Sequence, residues 1–123
     1  MELMPKELER MFARIGRQDN FDPFVVAKYF YPLGGMTWYA TEYCQEDRTF
    51  FGYADLEMGC PEWGYFSLTE MEETKIGPFQ MGIERDLYFR PTLISQVRRD
   101  AWERIQPTKR KPKEACHGCT QTD

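Results

Sequence analysis

A chain of 123 residues is long enough for one domain that buries roughly two-thirds of its unfolded surface, so it need not rely on disulfides or a structural metal. With 41% hydrophobic and 15% aromatic residues, Phe, Tyr and Trp carry much of that burial. The formal charge of −4 is uneven, residues 1–106 holding −6 and the segment from Pro107 onward +2, and so acidic a body counts against a duplex-binding surface on the globular part.

Met4, Leu8, Met11, Phe12 and Ile15 recur at i, i+4, i+7, i+8 and i+11, which gathers them on one stripe of a first helix. Pro5 suits its first turn and Gly16 the position after its last. Residues 18–23 are polar and end in Asp22-Pro23, so they read as a loop. Phe24 to Tyr31 is a β-branched and aromatic run closed by Pro32 and Gly34-Gly35, and reads as a strand. In the next run, Met36 to Tyr43, alternation puts Met36, Trp38, Ala40 and Glu42 on one face and Thr37, Tyr39, Thr41 and Tyr43 on the other. Residues 45–48 form a polar turn into a third strand, Thr49 to Asp55, completing a hairpin, and Gly52 inside it marks a bulge or a close backbone approach.

A fourth strand, Trp63 to Phe66, runs into a short helix over Leu68 to Glu73, where Ser67 and Glu70 form a capping box. Residues 75–82 read as a loop and Ile83 to Phe89 as a fifth strand. Thr92 is placed to cap a last helix with Ile94, Val97, Ala101 and Ile105 on one face, and Pro107 stops it. The expected fold is α+β: a single antiparallel sheet of about five strands, flanked by an N-terminal and a C-terminal helix plus one short helix. One domain spans residues 1–106, and residues 107–123 form a basic tail with almost no large apolar residue, expected to be disordered in isolation. No apolar run approaches the roughly 20 residues of a membrane span, and the opening segment lacks a secretory leader pattern. A cytoplasmic protein without membrane contact is expected, its cysteines Cys44, Cys60, Cys116 and Cys119 remaining thiols.

Five separated stretches then stand out in order: Met1-Glu2-Leu3-Met4-Pro5-Lys6-Glu7-Leu8, Thr37-Trp38-Tyr39-Ala40-Thr41-Glu42, Phe50-Phe51-Gly52-Tyr53, Trp63-Gly64-Tyr65-Phe66-Ser67-Leu68 and Ile83-Glu84-Arg85-Asp86-Leu87-Tyr88-Phe89. Together, over roughly residues 1–97, they resemble the bacterial family named domain of unknown function 2958 (DUF2958). The resemblance implies small cytosolic proteins often carried on plasmids, conjugative elements and phages, and implies no particular activity. Residues 98–123 extend past its pattern.

Four constellations carry possible chemistry. Strand alternation puts Glu84 and Asp86 on one face, with Glu42 on an adjacent strand, a set of carboxylates that could hold a divalent cation for a metal-dependent enzyme. The bland reading is a solvated edge-strand face with Arg85 bonded to the preceding loop. Cys116-His117-Gly118-Cys119 has the spacing of half a zinc site, which Cys44 and Cys60 or a second chain would have to complete, against an idle tail. Tyr29, Tyr31, Tyr39 and Tyr43 are too many for two helices to cover if they share a face, and so form a candidate exposed aromatic surface. The basic run Lys109-Arg110-Lys111-Pro112-Lys113 offers a nucleic-acid contact through the tail. No catalytic residue is assigned: the sole histidine, His117, is in the tail, so a nucleophile in the body would have no imidazole base. The leading expectation is a binding or accessory protein acting on an unidentified protein partner, with the metal-dependent enzyme and the tail-borne nucleic-acid binder as alternatives.

Overall fold

The structure is a computed structural model that describes residues 1–105. Pro5 opens α1 (Lys6–Ile15), Gly16 with φ of 71° ends it, and Leu8 and Phe12 are its buried residues. The next elements are β1 (Phe24–Val25), β2 (Ala27–Phe30), β3 (Thr37–Cys44), β4 (Thr49–Asp55) and β5 (Glu62–Ser67). Then α2 (Leu68–Glu73) begins at Ser67, whose hydroxyl accepts from the Glu70 N–H at 3.1 Å, the expected cap. The small hairpin β6 (Lys75–Ile76) and β7 (Met81–Gly82) occupies the stretch read as loop, and β8 (Glu84–Arg85), β9 (Thr92–Leu93), α3 (Ile94–Val97) and α4 (Arg99–Glu103) complete the order.

Five strands form the expected antiparallel sheet, in the order β5-β4-β3-β2-β8. Its register shifts once, between Ala40 and Glu42 opposite Gly52, so the curvature expected at that glycine is present. A Cβ on Gly52 would collide with the Tyr39 carbonyl oxygen, which is why that position holds glycine. The bulge has a consequence that regular alternation hides. A one-residue slip exchanges faces, so Tyr43 pairs with Phe50 and joins the face of Trp38 and Ala40, while Tyr39 stays on the other.

Both faces are therefore covered. On one, Phe50 packs among Phe12, Tyr29, Tyr43 and Phe66 with ring centroids 5.0–5.8 Å apart, beneath α1, α2 and Leu3. On the other, Val25, Tyr39 and Tyr53 pack against Ile94 and Ala101.

Three local expectations are corrected. The first strand divides at Val26: the ladder to β3 ends at Ala27–Ala40, beside the bulge, and β1 turns away to pair with β9. The fifth strand shrinks to two residues because Asp86 starts a turn, its side chain accepting from the Tyr88 N–H at 3.0 Å. The last helix breaks at Arg98, whose φ of −151° is extended, and Thr92 is not its cap but the partner of Val25. Among the described residues no helix is long and apolar enough to cross a membrane.

Candidate functional site

The three carboxylates do not converge. Glu84 lies opposite Phe30, which lies opposite Thr37, so Glu42 sits two strands away from it and well along β3. The bulge also turns Glu42 away from the face expected for it, and its carboxylate accepts from the Gln18 N–H at 2.7 Å. Asp86 donates its own N–H to the Lys28 carbonyl at 2.9 Å, and Arg85 reaches the Glu2 carbonyl at 3.4 Å. Among the described residues no group of three or more His, Cys, Asp or Glu side chains is placed to hold a metal.

The tyrosine surface is corrected by burial: Tyr29, Tyr31, Tyr39 and Tyr43 are all buried. Each found cover that a one-face reading could not supply. Tyr29 donates its hydroxyl to the Leu3 carbonyl at 2.8 Å, and burial pushes its phenol well above the ordinary tyrosine range. Tyr31 donates to the Ile76 carbonyl at 3.3 Å, Tyr39 belongs to the opposite core, and the Tyr43 phenol is also pushed up, by burial. Cys116, His117 and Cys119, with the basic run, lie outside the described residues. Cys60 is an exposed free thiol. Cys44 is buried at the end of β3 that pairs with Thr49, whereas Cys60 lies in the loop beyond the other end of β4, so the two do not form one thiolate set.

Two constellations appear that the sequence reading did not assemble. The first locks the C-terminal segment to the sheet. The Arg98 guanidinium donates to Asp100 at 2.7 and 3.2 Å and to Asp55 at 2.9 Å, and lies 5.9 Å from the Tyr39 ring centroid and 5.6 Å from that of Tyr53. Tyr53 donates its hydroxyl to Asp100 at 3.0 Å and accepts from Arg104 at 3.0 Å, which also reaches the Pro61 carbonyl at 2.9 Å. Burial disfavours charge on Arg98 and on Asp100, but hydrogen bonds outweigh it: those to Asp55, then Tyr39 and Asp100, make the guanidinium hold its proton more tightly than usual, and those from Arg98 and Tyr53 keep the Asp100 carboxyl below the carboxylate range. Asp55 is held low by the Glu57 amide and then by Arg98. Every group here is satisfied by another group of the fold, so the set reads as a structural clasp. An arginine beside Asp100, with Asp55 far off in sequence, gives no spacing signal to find it by.

The second constellation is open. Between β4 and β5 the chain loops out through Leu56, Met58 and Cys60, and this loop stands over a groove of about 380 Å³ floored by Ala54 and Gly64 and walled by Trp38 and Phe66. Leu56 and Met58 are 40% and 84% exposed. Glu57, between them, has φ of 60°, and its carboxylate accepts from the Gly35 N–H at 2.9 Å, which ties this loop to the turn before β3. Glu62 is exposed at the groove's edge. Gly64 faces Gly52 across the ladder but differs from it: a Cβ on Gly64 would meet nothing within 4 Å. The sequence signal is a glycine in mid-strand, between Trp63 and Tyr65.

A family model described as "Protein of unknown function (DUF2958)" matches residues 3–103 of the chain. No curated protein and no solved structure matches it.

Proposed function

The chain belongs to the DUF2958 family, and from that premise we propose that it is a non-enzymatic binding module that works by contact with another protein. In the setting that the family resemblance suggests, a bacterial mobile element or phage, it serves as an accessory or counter-defence factor. The observation that carries the reading is the open apolar groove at the β4–β5 loop, set on a body whose residues 1–106 carry −6. Apolar surface left open beside acidic groups is suited to a partner that is apolar at its contact point and basic around it. Such a surface can occupy a basic nucleic-acid-binding site on that partner. The competing reading, metal-dependent catalysis through Glu84 and Asp86, has less support, because Glu42 is remote from both and Asp86 is engaged in a turn. Affinity capture from a bacterial host extract tests the proposal: a specific protein should be retained at low salt and released as salt screens the charges. A protein that retains no partner at low salt is not a contact module.

A further inference from the structure

Glycine in mid-strand is a liability, because it weakens the strand and contributes no side chain to packing. Gly52 has a compelling reason for it, since any Cβ would strike the Tyr39 carbonyl. Gly64, its cross-strand partner, has none from the fold: the space above it is empty to 4 Å and its φ is not positive. What the missing side chain leaves is the floor of the groove. Its walls are Trp38 and Phe66 on the sheet and the exposed Leu56 and Met58 on the loop, and methionine's unbranched thioether adapts to varied apolar shapes. Carboxylates lie beside it: Glu62, exposed on β5, lines the groove, and Glu57 stands between Leu56 and Met58 with its carboxylate on the Gly35 N–H. Arg98, which lies over the Tyr39 and Tyr53 rings on the opposite face of the sheet, is committed to Asp55 and Asp100, and Arg104 to Tyr53 and the Pro61 carbonyl.

Resting on the protein-contact reading above, we infer that the groove over Gly64 is the anchor pocket of that contact. It receives one bulky apolar side chain from a partner segment whose flanking residues are basic. Two nearer occupants fit worse. Residues 107–123 contain no Phe, Tyr, Trp, Leu, Ile, Val or Met and so cannot supply the anchor. A second copy of the chain would bring an equally acidic body against this one, and like charges brought together oppose docking.

The full chain, labelled for NMR, is titrated with three synthetic peptides: a Trp flanked by Lys and Arg, the same peptide with Ala for Trp, and the Trp flanked by Glu. The expected result is that the basic Trp peptide shifts Gly64 and the Met58 methyl, and that either change weakens binding about tenfold or more. Gly64→Leu, which fills the floor, should weaken the basic Trp peptide about tenfold while leaving the unfolding midpoint unchanged or higher. Met58→Glu tests the same pocket from the exposed loop, where folding is not at stake. Binding unaffected by both variants, equal binding of the Glu-flanked peptide, no binding of the basic Trp peptide, or concentration-dependent self-association centred on Gly64 would each overturn the inference. Failure here separates from failure of the broader reading. A host protein captured equally by wild type and Gly64→Leu refutes the pocket and leaves the contact function standing, whereas a wild type that captures nothing refutes the function.

Discussion

Gln18 pairs with Phe24 as one strand pairs with the next: its side-chain oxygen accepts from the Phe24 N–H at 2.7 Å and its side-chain amide donates to the Phe24 carbonyl at 2.9 Å. The same amide donates to the Thr41 carbonyl on the bulge at 2.9 Å. One buried polar side chain thus satisfies three backbone groups at the point where β1 leaves the sheet. Gln18→Leu, close in size, would leave them without partners, and unfolding in urea should show a loss on the order of 2–3 kcal/mol. An unchanged midpoint would mean that water replaces the side chain there.

Gly52 and Gly64 face each other, yet alanine should be received in opposite ways. Gly52→Ala must push β3 and β4 apart at the bulge and should destabilise by about 3 kcal/mol or more. Gly64→Ala enters empty space and relieves a mid-strand glycine, so it should be neutral or stabilising by up to about 1 kcal/mol. Thermal midpoints of the two variants check both; equal losses would show that the groove floor is tighter than described.

Arg98 makes stability depend on acid. Asp55 and Asp100 titrate below their ordinary values in the folded chain. The stability they contribute is fully present above the unfolded carboxyl pKa of about 4 and is lost as pH falls through the folded values. Arg98→Met should cost on the order of 2 kcal/mol near neutral pH, a figure held down by the partial exposure of the groups, and should flatten the acid side of the stability curve. A variant with the same acid dependence as wild type would show that other carboxylates set it.

Tyr29→Phe removes the hydroxyl that meets the Leu3 carbonyl and should cost about 1 kcal/mol. Tyr29, Tyr43 and Tyr53 all have phenols pushed up, foremost by burial. Their neutral forms are favoured by folding, so the stability this contributes is present below the unfolded pKa of about 10 and declines as pH rises beyond it. Phenolate absorbance should therefore rise at higher pH in the folded chain than in urea, and coincident curves would contradict the burial.

Elements bounded by local chemistry were legible in the sequence: α1 between Pro5 and Gly16, α2 from its Ser67 cap, and the β3–β4 hairpin with its bulge at Gly52. Contacts between distant residues were not. Alternation assigned Tyr39 and Tyr43 to one face, because nothing local announces that the extra residue lies on β3 and reverses everything after it. That error produced the expected tyrosine surface and placed Glu42 on the wrong face. Helical periodicity ran through Arg98 because Ile94 and Ala101 do share a core, while the break comes from Asp55 and two tyrosine rings on other strands. Of the candidate site, the glycine was visible, but its emptiness is a three-dimensional property.

The pairing of β1 with β9 sets an order of events on the ribosome. The core beneath α1 and α2 is complete once Ile83 has emerged, whereas the opposite core waits for Ile94 and Ala101. During that interval Val25, Tyr39 and Tyr53 have no cover from α3 and α4, and Asp55 has no Arg98. A nascent chain passes through a half-closed state whose sticky side is the one that ends up clasped, and a stall in translation near residue 90 is where aggregation or chaperone capture should concentrate.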